Sequence, residues 1–194
     1  MEKLQEIELT IKDENEDGVF AISLVDRPAI EENFIQLSKQ QIELKVINEE
    51  KRIVVGFALI PEKRIFREMN GKQFNVFFTK ETIAKTAELY MKKLNLNNVT
   101  TEHEKEVNGV SVIESWIVED KKHDKSNIYN LGAKGGEWVV MMKVYNEDVY
   151  QEIKAGKYHG FSIEGVFDGM DNLSSKQDSD EDLINEIKDF LKTI

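Results

Sequence analysis

Val107-Asn108-Gly109-Val110 constrains this chain more tightly than any other segment, because Asn-Gly between alternating residues favours a two-residue hairpin turn. Pairing Val107 with Val110 sets a register that puts His103 directly across from Glu114, on a face shared with Val110, Val112 and Trp116. An imidazole facing a carboxylate is the core of a general base: the carboxylate orients the ring and stabilises the imidazolium formed when the other nitrogen takes a proton. A slip of one residue removes this contact and brings Ser115 towards His103 instead. Taken alone, a cross-strand surface pair explains the same pattern.

A second segment could carry chemistry. In Gly160-Phe161-Ser162-Ile163-Glu164-Gly165 strand alternation puts Phe161 and Ile163 on one face and Ser162 and Glu164 on the other. The flanking glycines allow another backbone or a substrate chain to approach closely, as a nucleophile in an extended groove requires; they also simply mark strand ends. The pattern is not the strand-to-helix nucleophile elbow G-x-S-x-G, because Glu164 stands where that motif has glycine. An α/β-hydrolase is disfavoured.

Composition excludes several alternatives. The 194 residues carry 37 acidic and 26 basic side chains, a formal net charge of −11, which disfavours a nucleic-acid binder. The densest basic stretch, Lys121, Lys122 and Lys125, is interrupted by Asp120 and Asp124 and fits a solvated loop. With no cysteine, disulfides and thiolate nucleophiles are ruled out. His103, His123 and His159 lack a metal-site spacing such as H-E-x-x-H, and Gly132, Gly135 and Gly136 lack that of a phosphate loop, so neither a metal nor a cofactor is expected. Met1 to Lys12 has no signal-peptide pattern, and no apolar run approaches the roughly 20 residues of a spanning helix. Synthesis in the cytoplasm, away from membranes, is the expectation.

The pattern along the chain is β-dominated. Ile7, Leu9 and Ile11 alternate with polar residues, Asp17-Gly18 signals a turn, and Val19 to Val25 is apolar, which together predict a hairpin. Further strands are expected at Ile42–Ile47, Ile53–Ile60, Phe74–Phe78, Val99–Glu106, Val110–Val118, Trp138–Val144 and Phe161–Phe167. Thr79 is placed to cap a helix with Ile83, Ala87, Tyr90 and Met91 on its apolar face. Asn146 is placed to cap a shorter one ending near Ala155, with Gly156 as its C-terminal residue. The class is therefore α+β with a mainly antiparallel β core. One domain over residues 1–167 is expected, then an acidic linker over 168–182 and an amphipathic helix over 183–194.

An ordered set of segments resembles the XkdF-like phage serine proteases, within the tailed-phage prohead proteases of capsid maturation. It runs from Ala21-Ile22-Ser23-Leu24-Val25-Asp26-Arg27-Pro28-Ala29-Ile30 through Gly56-Phe57-Ala58-Leu59-Ile60-Pro61 and Phe77-Phe78-Thr79-Lys80-Glu81-Thr82-Ile83. It continues to His103, Glu114-Ser115-Trp116-Ile117 and Gly160 to Gly165. The resemblance implies an assemblin-like fold, a β-barrel-like core with peripheral helices, in which a catalytic histidine precedes the serine. His103 and Ser162 occupy those places, as general base and nucleophile. The assemblins use a second histidine as third member; none follows Ser162 here, so a carboxylate serves or the site is a dyad. Glu114 is favoured by the pairing argument, with Glu164 as its rival. Glu137 departs from the family's small residue before the tryptophan.

The implied substrates are the phage scaffold or core protein, the major capsid protein and the protease itself, met in the host cytoplasm inside assembling proheads; a homodimer is a candidate assembly. Two rival readings remain. One is a non-catalytic scaffold or core component whose acidic tail and Leu183–Leu191 helix bind capsid or portal partners. The other is a carbohydrate- or peptide-binding β-domain in which His103 and Ser162 are incidental.

Overall fold

Strand β2 (Gly18–Val25) is apolar on both sides because both sides are covered: Val19, Ala21, Ile22, Leu24 and Val25 are all buried. Around it the computed structural model describes residues 4–26, 45–48, 50–69 and 71–169. The expected helix over 183–194 and all of the acidic segment except Asp168 and Gly169 lie outside these residues. The other strands are β1 (Gln5–Glu8), β3 (Lys45–Asn48), β4 (Ile53–Leu59), β5 (Ile65–Met69), β6 (Lys72–Phe77), β7 (Val99–Thr101), β8 (Lys105–Glu106), β9 (Val110–Ile117), β10 (Trp138–Val144) and β11 (Gly160–Val166). Two α-helices, α1 (Lys80–Lys92) and α2 (Glu147–Lys154), and two short 3-10 helices at Asn95–Asn97 and Lys125–Asn127 complete the described elements.

The strands form three sheets, ordered β1-β6-β5, β3-β4-β10-β9 and β11-β2-β7-β8. Pairing is antiparallel except for β1 with β6 and β2 with β7. The α+β class is as expected; the barrel-like core is not, since no closed barrel forms among the described residues. None of the described helices is long and apolar enough to cross a membrane.

Both helices begin where side-chain capping requires. Thr79 Oγ1 accepts the Thr82 N–H at 3.3 Å, and Asn146 Oδ1 accepts the Val149 N–H at 3.1 Å, each satisfying a donor that has no partner within its helix. Helix α1 buries Ile83, Ala87 and Tyr90 as its pattern predicts, and Leu89 besides, whereas Met91 is left 41% exposed. Tyr90 meets Trp138 edge to face, ring centroids 5.3 Å apart, and both are wholly buried.

Two expected hairpins do not form. Strand β1 runs parallel to β6, with Ile7 opposite Val76, instead of folding back on β2. The intervening loop is closed by Asp17, whose Oδ2 accepts the Lys12 and Asp13 N–H groups at 2.6 and 2.9 Å and redirects the chain. At Asn108-Gly109 the chain passes from one sheet to another: β8 pairs with β7, while β9 pairs with β10. The Gly109 carbonyl accepts the Tyr145 and Asn146 N–H groups at 2.7 and 2.9 Å, and Asn146 Nδ2 donates to the Asn108 carbonyl at 3.0 Å. These contacts tie the corner to the start of α2. Strands β5 and β6 pair as antiparallel neighbours in sequence, with Met69 opposite Lys72 and Gly71 at φ of +72°.

Candidate active site

The register of the third sheet assembles a row of hydroxyls. Ser162 on β11 pairs with Ser23 on β2, and Ser23 pairs with Thr100 on β7. Directly paired residues project to the same face, with Cβ atoms about 4.5–5.5 Å apart in an antiparallel pair. Ser23 is 0% exposed and Ser162 3%. Glu164, two residues beyond Ser162, shares that face. Its strand partner is Ala21, whose single methyl leaves room for the glutamate to lean across β2, and Thr100 Oγ1 donates a hydrogen bond to Glu164 Oε1.

Irregularity of the sheet aims this glutamate. The register shifts between Glu164 and Gly165, with Phe20 the extra residue on β2. Such a bulge bends a strand and redirects neighbouring side chains. Gly165 is required at this place because a Cβ there would lie 2.6 Å from the Gly18 carbonyl oxygen.

His103 enters from the turn between β7 and β8. The Glu104 N–H donates to the Thr101 carbonyl at 3.0 Å, and both central residues, Glu102 and His103, have positive φ, 51° and 59°. A left-handed conformation costs a non-glycine residue about 1–3 kcal/mol and persists only where the surroundings enforce it. Here they do. The Glu102 N–H donates to the Leu24 carbonyl at 3.0 Å, the His103 N–H to Ser23 Oγ at 3.0 Å, and Glu102 Oε1 accepts the Asp26 N–H at 2.8 Å.

From this turn His103 Nδ1 comes within 3.2 Å of Glu164 Oε1. Burial pushes the Glu164 carboxyl up, but hydrogen bonds from His103 and Thr100 together with the charge on His103 outweigh it and hold the group below the ordinary glutamate value. Glu164 is therefore ionised at neutral pH, and because an ionised carboxylate can only accept, the contact is a hydrogen bond donated by Nδ1–H to Oε1, which leaves Nε2 pointing away from Glu164. No direct bond between His103 and Ser162 Oγ occurs among the described hydrogen bonds. Both lie over one face of the sheet: Ser162 pairs with Ser23, and Ser23 Oγ accepts the His103 N–H.

Glu114 stands elsewhere. It sits on β9 opposite Met141, 46% of its side chain is exposed, and it forms an ion pair with Lys125, whose Nζ lies 3.8 Å from the centroid of the Trp116 ring. The expected His103–Glu114 facing pair is thus corrected, because β8 and β9 belong to different sheets. Ser115 accepts the Trp138 indole N–H at 2.8 Å. Glu137 clamps its own loop, accepting the Lys134 and Gly135 N–H groups at 2.6 Å each. His123 pairs with Asp120 at 2.5 Å and His159 with Asp26 at 2.8 Å. The described residues contain no group of three or more His, Asp or Glu placed to hold a metal.

Ser23 and Thr100 were not apparent as site residues in the sequence. The available signal was a lone hydroxyl, Ser23, between Ile22 and Leu24 in an otherwise apolar strand.

Residues 40–171 match the family described as "putative phage serine protease XkdF". The chain belongs to that family. The matched span of this phage protease family contains His103, Glu114, Ser162, Glu164 and Thr100, whereas Ser23 precedes it. Comparison with curated proteins and with solved structures returns no match.

Proposed function

We propose that the chain is a prohead maturation endopeptidase in which Ser162 is the nucleophile, His103 the general base and Glu164 the residue that orients His103. The observation that supports this most is the 3.2 Å contact between His103 Nδ1 and the buried Glu164 carboxylate, above the face that carries Ser162. Membership of a phage serine protease family supports the reaction class. The histidine-before-serine order fits an assemblin-like relationship of the fold.

In this reading His103 Nε2 takes the Ser162 hydroxyl proton as Oγ attacks the carbonyl carbon of the scissile peptide. The tetrahedral intermediate collapses as the imidazolium gives that proton to the leaving amine, and an acyl-enzyme remains. Water, deprotonated by the same nitrogen, then releases the new carboxyl terminus and regenerates Ser162. Glu164 keeps its negative charge throughout, stabilising the imidazolium. The proposed substrates are the scaffold or core protein, the major capsid protein and the protease itself, cleaved inside the assembling prohead.

A fluorophosphonate probe tests the assignment without knowledge of the cleavage site. Mass spectrometry should find the label on the peptide carrying Ser162, lost in Ser162→Ala and strongly slowed in His103→Ala. Label on another serine, or an equal rate in His103→Ala, would contradict it.

A further inference from the structure

We infer that Ser23 and Thr100 are positioning residues of this site, Ser23 fixing the backbone of His103 and Thr100 fixing the carboxylate of Glu164. This rests on the protease reading and extends it to two residues that touch no reacting atom.

Two independent features carry the inference. The first is burial: Ser23 is 0% exposed among Ile22, Leu24 and Val25, where an alanine would spare the cost of desolvating a hydroxyl. What the hydroxyl does there is accept the His103 N–H at 3.0 Å. The second is backbone strain, since His103 at φ 59° occupies a conformation that glycine adopts more readily. An imidazole needed over Ser162 explains why histidine stands in this turn, and the Ser23 contact helps to hold it there. Thr100 complements this by donating to Glu164 Oε1, the same oxygen that faces His103 Nδ1. The hydroxyl row thus sets both ends of the His103–Glu164 contact relative to Ser162, with one anchor on each of two neighbouring strands.

The test uses the full chain with 15N-labelled histidine, which has three histidines to assign. Long-range imidazole correlations report the tautomer of His103, and peptide cleavage gives kcat and KM separately. Wild type should show one tautomer, protonated on Nδ1. Ser23→Ala and Thr100→Val should give mixed tautomers and a kcat lower by about 10- to 100-fold with KM within about twofold, as expected for a small displacement of a catalytic group. Thr100→Ser, which keeps the hydroxyl, should restore both readouts. Should Ser23→Ala fail to fold, Ser23→Cys leaves no cavity, replaces the hydroxyl by a larger and weaker acceptor and is read in the same way. Variants that lose stability while keeping the wild-type His103 signal and kcat would overturn the inference. A wild type that cleaves nothing, but whose His103 signal responds to Ser23→Ala and Thr100→Val, would refute the protease reading and leave the positioning role standing.

Discussion

Glu164 and Ser162 stand two residues apart on one strand, yet the carboxylate of Glu164 meets His103 from another strand's turn at 3.2 Å. An i, i+2 neighbour of Ser162 would ordinarily point parallel to it and miss a histidine reaching over from elsewhere. The bulge at Phe20, the methyl of Ala21 and the donation from Thr100 account for the exception.

Replacing Glu164 by Gln should lower kcat by about 10²- to 10⁴-fold, since the ring would lose both the carboxylate that sets its tautomer and the charge that stabilises imidazolium. Glu114→Gln should leave kcat within about twofold, because an exposed pair with Lys125 contributes little. Steady-state kinetics on a mapped cleavage peptide distinguishes the two carboxylates.

The lowered pKa of Glu164 has a definite sign in acid. A carboxylate whose folded value lies below its unfolded one contributes stability that is fully present above the unfolded value, about 4.3, and is lost as pH falls through the folded one. Urea midpoints of wild type and Glu164→Gln should therefore differ by a constant amount from pH 7 down to about pH 5 and converge below pH 4. A constant difference through pH 3 would show that Glu164 is not held ionised by its neighbours.

Tyr90 offers a test of the core. Its hydroxyl is buried with no hydrogen-bond partner among the described residues, and desolvation raises its pKa. Tyr90→Phe keeps the edge-to-face contact with Trp138 while removing an unsatisfied group, so it should raise stability by about 1 kcal/mol. Trp138→Ala should instead cost about 3–5 kcal/mol through the cavity it leaves. Urea denaturation measures both.

Gly165→Ala should damage the site through the backbone. The new methyl would press on the Gly18 carbonyl, forcing β2 and β11 apart beside Glu164 and costing about 1–3 kcal/mol. Its kcat should fall although no reacting group has changed, which kinetics at matched folded fraction would reveal.

Local chemistry was legible in the sequence wherever the controlling contact is local. Thr79 and Asn146 cap their helices as their residue types require, β4 and β10 coincide with predominantly apolar runs, and β11 with an alternating one. Pairing was not legible where distant contacts compete with the turn. Asn108-Gly109 has the chemistry of a hairpin, but Tyr145 and Asn146 take its carbonyl and turn it into a crossing between sheets. The partner of His103 followed from that pairing, and so moved from Glu114 to Glu164. Ser23 was invisible as a site residue because its value depends on a turn about 80 positions away.

The central claim is most directly tested by co-expressing the chain with its phage's scaffold and major capsid proteins and reading new termini by mass spectrometry. Wild type should generate discrete cleaved termini, Ser162→Ala and His103→Ala none, and Glu164→Gln a small fraction, with Glu114→Gln matching wild type. Equal cleavage by wild type, Ser162→Ala and His103→Ala would contradict the account.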